Sequence, residues 1–214
     1  MLFLSFSLFG QTNENKGNVT EAPKEPFFRG VGIGVDLFGP AAYLFGANTV
    51  SYEGSLFADL GNKFFPIWEI GFGKGNTVTE YELGLYTHSA LYNRVGLNYN
   101  MLNKKHEDFV YLGLRYGFSS FDYGFDNIMI TNGFWNENYK NTPELQSATV
   151  QWGELAAGVQ VRIFSGLYMG WGIRYKMLFS QKVDNEDLKP WYIPGYGTSR
   201  WGITYTVCYK LGGR

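Results

Sequence analysis

LYMGWGIRYKMLF, Leu167–Phe179, reads as two sequences interleaved. The odd positions hold Leu167, Met169, Trp171, Ile173, Tyr175, Met177 and Phe179; the even positions hold Tyr168, Gly170, Gly172, Arg174, Lys176 and Leu178. Alternation of period two over such a run specifies a strand, because successive side chains of a strand point to opposite faces. One face is bulky and apolar. The other is mostly glycine and positive charge. The fold turns on which of them meets water.

The same alternation recurs over 29–39, 50–60, 64–73, 91–102, 109–120, 149–161 and 200–211, so eight strands are expected. In RGVGIGVDLFG, Val31, Ile33, Val35 and Leu37 stand against Gly32, Gly34 and Asp36. In FVYLGLRYGFSS, Val110, Leu112, Leu114, Tyr116 and Phe118 stand against Gly113, Arg115, Gly117 and Ser119. A soluble strand runs to roughly 5–6 residues. These are about twice that, the length that crosses a bilayer at a tilt. No amphipathic helix is expected, and no apolar run is long enough for a transmembrane helix.

The connections alternate in length. Those at 61–63, 103–108 and 164–166 are short; those at 38–49, 74–89, 120–147 and 180–199 are long. All short turns then lie at one end of the sheet, as in an outer-membrane barrel with short periplasmic turns and longer extracellular loops. The expected fold is all-β: a transmembrane antiparallel up-and-down β-barrel of eight strands over 27–213, located in the bacterial outer membrane. Residues 1–10, MLFLSFSLFG, read as a secretory signal peptide that lacks its charged n-region. Residues 11–26 are polar and unpatterned, which reads as a flexible periplasmic leader.

The rival is a soluble eight-stranded barrel with the bulky face inside. Volume separates the two. Eight strands enclose a space only just wide enough for side chains to fill it. Trp68, Trp171, Trp201 and the accompanying Leu, Ile, Val, Tyr and Phe cannot all enter it. They fit outside, where the circumference is larger, and glycine fits within. The bulky face therefore meets lipid. Tyr99, Tyr116, Phe118, Trp171, Phe179, Trp201 and Tyr209 share this outward parity, mostly near strand ends, where aromatic girdles form. Pro66 faces outward near a strand start, where a missing N–H does least harm.

On the inward parity stand Asp36, Glu53, Asp59, Glu69, Arg94, Arg115, Glu154, Arg174, Lys176 and Lys210. The mixture of signs is informative, because a buried charge without a partner is costly. Hairpin neighbours place Glu154 near Arg174 and Lys176, Glu69 near Arg94, and Arg115 near Gly96 and Arg94; Trp152 is expected to pack on Lys176. Asp36, Glu53, Glu69, Arg94, Arg115, Glu154, Arg174 and Lys176 form the expected interior charge network. It either fills and stiffens the lumen or lines a narrow path for ions.

Other chemistry is thinly represented. A net charge of −1 indicates no nucleic-acid surface. Cys208 is the one cysteine, so no disulfide framework or cysteine metal site is expected. No cofactor, metal or catalytic residue is expected. His106 sits in a charged turn. His88 precedes Ser89 and is placed by register toward Ser119, Ser120 and Asp122, a nucleophile–base–orienter set in residue type alone. The acidic run VDNEDL, 183–188, lacks the spacing and turn glycine of a calcium loop. The aromatic segments NGFWNENY, 132–139, and PWYIPGYG, 190–197, have three open readings: binding anchors, a cover over the barrel mouth, or a rest at lipid headgroups.

With strands and turns so arranged, the chain resembles the small eight-stranded outer-membrane barrels of the OmpA and OmpX type over about residues 27–213. GVDLFGP, SLFADLGNKFFPIWEIGFG and AGVQVRIFSGLYMGWGIRYK are similar to uncharacterised barrel families of Gram-negative bacteria. The chain's end, VCYKLGGR, departs from the usual final aromatic of such barrels. A filled lumen and long aromatic loops point to a monomeric, non-enzymatic protein in contact with outer-membrane lipid, structural or binding an external ligand or protein through loops 120–147 and 180–199. The alternatives are a narrow pore for small solutes or ions, and a lipid or peptide hydrolase using His88.

Overall fold

The computed structural model describes residues 26–78, 84–102, 107–125, 129–131, 138–140, 145–183, 193–197 and 199–212. The expected signal peptide, the leader up to residue 25, and His106 lie outside these residues. The elements in order are β1 (Phe28–Asp36), α1 (Phe38–Leu44), β2 (Thr49–Leu60), β3 (Phe64–Val78), β4 (Gly84–Asn100), β5 (Phe109–Phe125), β6 (Met129–Thr131), β7 (Asn138–Lys140), β8 (Gln146–Phe164), β9 (Leu167–Val183) and β10 (Trp201–Leu211). Eight of these strands, β1–β5 and β8–β10, form a closed antiparallel barrel in which each pairs with its neighbours in sequence order, and β6 and β7 form a separate small pair. Closure runs from Val31↔Leu211 to Asp36↔Thr206. It leaves the barrel no open edge, so each of its eight strands finds hydrogen-bond partners on both sides, as hydrocarbon surroundings require.

The bulky face of the opening segment is outside. Trp171 is 58% exposed, Ile173 53% and Trp201 62%, whereas Arg174 and Lys176 are buried. The outward parity of the other strands is equally apolar: Val31, Ile33, Leu56, Trp68, Ile70, Leu97, Leu114 and Leu155 are all exposed. A continuous apolar belt of this kind fits hydrocarbon as its solvent. On it Trp171 packs against Tyr205, with centroids 4.4 Å apart, and Tyr175 against Trp201 at 4.9 Å. Pro66 faces outward as well.

The inner glycines provide seats for large neighbours. Gly32 lies directly across from Phe57, Gly71 from Tyr92, Gly117 from Trp152, and Gly158 from Tyr111. A Cβ at each of these glycines would run into the ring opposite. So the absent side chain on one strand makes room for the ring of the next. Gly117→Val is therefore expected to destabilise by about 1–3 kcal/mol through overpacking. Urea unfolding of the folded barrel in detergent would measure it; an unchanged midpoint would mean that the Trp152 ring has room to move.

Three expectations are corrected. A helix exists. α1 has seven residues and no buried side chain, too short for any periodic pattern to announce it. It starts where Asp36 Oδ1 accepts the Phe38 N–H at 2.9 Å. It stops at Gly46, whose φ of +95° lets Gly46 N–H reach the Tyr43 carbonyl and Ala47 N–H the Ala42 carbonyl, both at 3.0 Å. That is a Schellman stop. Secondly, the long connections are shorter than expected. Past a bulge at Gly73/Gly75 the β3–β4 ladder continues to Val78↔Gly84, and the β5–β8 ladder reaches Tyr123↔Gln146. Backbone pairing persists there without the apolar alternation that marks a lipid-facing strand.

The third correction concerns the interior, which is not mainly glycine and charge. It has three layers. Toward the short-turn end lie Phe57, Phe65, Phe109, Tyr111, Ala156, Tyr168 and Cys208. Phe65 and Phe109 stack with centroids 4.7 Å apart. Toward the long-loop end lie Tyr92, Phe121, Tyr123, Val150, Trp152 and Ile193. The charges are sandwiched between these aromatic layers.

Candidate functional site

The middle layer is built by six strands. Glu53 comes from β2, Glu69 from β3, Arg94 from β4, Arg115 from β5, Glu154 from β8 and Arg174 from β9. All six side chains are buried. Register explains their level: Glu69 lies across from Arg94 and Arg115 across from Glu154. Arg115 lies across from Gly96, two residues along β4 from Arg94, so the two pairs fall at neighbouring levels of the lumen.

Two arginines knit the layer. Arg94 pairs through Nη2 with Glu53, through Nε with Glu69 at 3.0 Å, and through Nη1 with Glu154 at 3.3 Å. Arg174 meets Glu53 at 3.0 Å, Glu69 at 3.1 Å and Glu154 at 4.0 Å. Arg115 adds a 3.4 Å contact to Glu69. Planar guanidinium groups suit this work, since each presents several donors in fixed directions. Three glutamates face three arginines, so the layer is balanced in formal charge.

Two tyrosines and a tryptophan complete it. Tyr92 donates its hydroxyl to Glu53 Oε1 at 2.6 Å, and Trp152 Nε1 donates to Glu154 Oε1 at 2.7 Å. Tyr196 donates to Glu53 at 2.5 Å and accepts from Arg94 and Arg174, each at 3.0 Å. Burial holds the Tyr196 hydroxyl well above the usual phenol range, so it remains a donor. Tyr196 does not belong to the barrel wall. It sits on the turn Ile193–Gly197 of the β9–β10 connection, closed by Ile193 N–H to Gly197 O at 3.0 Å. Ile193 is fully buried in the upper aromatic layer. Of the three readings of PWYIPGYG, the described residues take the cover over the mouth. The remainder of that segment, most of NGFWNENY and residues 184–188 of the acidic run lie outside the described residues.

Lys176 and Asp36 stand apart from the six. Lys176 lies across from Glu154, but its ammonium rests 3.6 Å from the centroid of the Tyr196 ring and has no hydrogen-bond partner. Trp152 does not cover it, against expectation. The indole is drawn instead over Gly117 on β5 and down to Glu154. Asp36 spends Oδ1 on the main-chain N–H groups of Phe38 and Tyr205, at 2.9 and 3.0 Å. Nearer the turn end, Asp59 pairs with Lys210 and accepts the Asn62 N–H at 2.6 Å, which braces the β2–β3 turn.

The hydrolase set does not assemble on one face. Ser119 is buried in the lumen and donates to the Leu91 carbonyl at 2.7 Å. Ser120 and Asp122 are exposed on the outer parity, bonded to Thr149 and Ser147. Alternation along β5 puts them on opposite sides of the sheet from Ser119. The side chains of His88 and Ser89 are outside the described residues. Among the described residues, no His, Cys, Asp and Glu cluster is arranged to hold a metal ion, and no helix is long and apolar enough to cross a membrane.

Sequence reasoning missed Tyr92 and Tyr196. Tyr92 shares the inward parity of Arg94, which is a usable signal. Tyr196 lies in a loop, where parity does not operate.

The chain belongs to the family described as a domain of unknown function (DUF6048), matched over residues 1–212. Among solved structures it is similar to a major outer membrane protein from Thermus thermophilus, with a TM-score of 0.46 and 10% identity, over 86% of this chain and 98% of that one. No curated protein matches it.

Proposed function

We propose, taking as premise a DUF6048 chain folded as a lipid-facing barrel, that the protein is a sealed, non-enzymatic component of the bacterial outer membrane. Its role is to stabilise the envelope or to present its long connections to an external ligand or protein. The apolar belt, the even number of antiparallel strands and the closed sheet support a place among outer-membrane barrels of the OmpA and OmpX kind. In this orientation the short turns face the periplasm. Closure leaves the barrel no edge to pair with a second copy, which supports a monomer. Within 180–199 the turn Ile193–Gly197 is committed to the mouth, so an external partner would meet the rest of that connection and 120–147.

One observation carries the reading. The charged layer is capped by Tyr196 from above, and an aromatic layer closes the lumen on either side. An ion would have to displace stacked rings and break paired charges to pass. Purified, refolded protein in a planar bilayer is therefore expected to give no steady conductance at moderate voltage. Steady unitary currents from the wild-type chain would overturn the reading in favour of the narrow pore.

A further inference from the structure

Beside the Tyr196 turn, at the long-loop mouth, lies a cavity of about 390 Å³. Its walls come from the end of β1, helix α1, the start of β2, the Ile193–Gly197 turn and the first residues of β10. Its size falls within the about 300–1,000 Å³ of small-molecule sites. Asp36 is the one formally charged residue among the described residues on its wall. It is only 9% exposed, and its Oδ2 takes no hydrogen bond, since both main-chain donors go to Oδ1. Arg174 is committed to Glu53 and Glu69, and Lys176 is fully buried over the Tyr196 ring. Neither neutralises Asp36 by a direct ion pair.

The Oδ2 atom keeps some access to solvent and has no donor from the protein, so a ligand that reaches it with a charged donor gains a charge-assisted hydrogen bond. Three ligand classes fit poorly. An anion would be repelled. A hard divalent cation needs six or more oxygen ligands, and one carboxylate with scattered hydroxyls falls short. A neutral apolar molecule leaves the charge unpaired. The remaining wall supplies the other half of a match: Phe38 and Ala42 are apolar, while Thr49 and Ser51 carry hydroxyls able to accept. We propose that this cavity binds a small primary ammonium compound with a short apolar body, its ammonium on Asp36 and its body against Phe38 and Ala42.

The test uses the full chain, folded in detergent micelles, with n-butylammonium chloride as probe and 1-butanol as its neutral counterpart, followed by calorimetric titration. Asp36→Asn keeps an amide oxygen for the two main-chain donors while removing the charge. Saturable binding of butylammonium, weakened at least 10-fold by Asp36→Asn and absent for butanol, is the expected result. Equal binding of butanol, equal binding by Asp36→Asn, or no saturable butylammonium binding overturns the proposal. Should Asp36→Asn fail the heat-modifiability check for a folded barrel, the contrast between the two probes on the wild-type chain decides. Conductance is independent of this outcome, because the cavity opens above the sealed layer and not through it.

Discussion

Glu53→Ala is expected to destabilise the barrel by about 3–5 kcal/mol, the range for removing one partner of a buried charge pair. Glu53 touches Arg94, Arg174, Tyr92 and Tyr196 at once. Its removal leaves two buried guanidinium groups with fewer counter-charges and two hydroxyls without their acceptor. It also unfastens the Tyr196 turn from the lumen. Glu53→Gln should fall between, since the amide keeps the shape and one acceptor oxygen but not the charge. Urea unfolding followed by tryptophan fluorescence and by heat modifiability would measure both variants. An alanine variant as stable as the wild type would mean that water reaches this layer and solvates the arginines.

Ile173→Arg should cost about 2–4 kcal/mol in a bilayer, the penalty for a cation on the lipid face near mid-depth. Ile173 lies across from Ile203 on one side and Ala157 on the other, near the middle of β9. Its neighbour Arg174 is already an arginine, yet it sits in the lumen with three carboxylates around it. The same side chain is thus matched at one position and unmatched at the next. Refolding into vesicles, with Ile173→Leu as the control, gives the measurement. A neutral effect in vesicles would show that hydrocarbon is not the solvent of this face.

Much of this was open to sequence reasoning, for a physical reason. A strand's side-chain period is two, so Trp171 and Arg174 fall on opposite faces whatever surrounds them. The narrow interior then decides which face is inside. Hairpin order brought Glu69 to Arg94 and Arg115 to Gly96 without further information. The limits were equally physical. Parity assigns a side but not a height, so it could not separate the aromatic layers from the charged one. It says nothing of loops, where Tyr196 lies, and nothing of a seven-residue helix. Parity does separate Ser119 from Ser120 and Asp122, which only their residue types had grouped.

Alternation along each segment settled the eight barrel strands, their faces and the sign of every inward charge, because those properties are local to the chain; the small β6–β7 pair carries no such pattern. Which carboxylate meets which guanidinium across the lumen is not local. Arg94 and Glu154 are sixty residues apart, and Glu53 and Tyr196 are 143 apart. Such contacts exist only once the sheet has closed and a loop has folded into its mouth, where distance through space replaces distance along the chain.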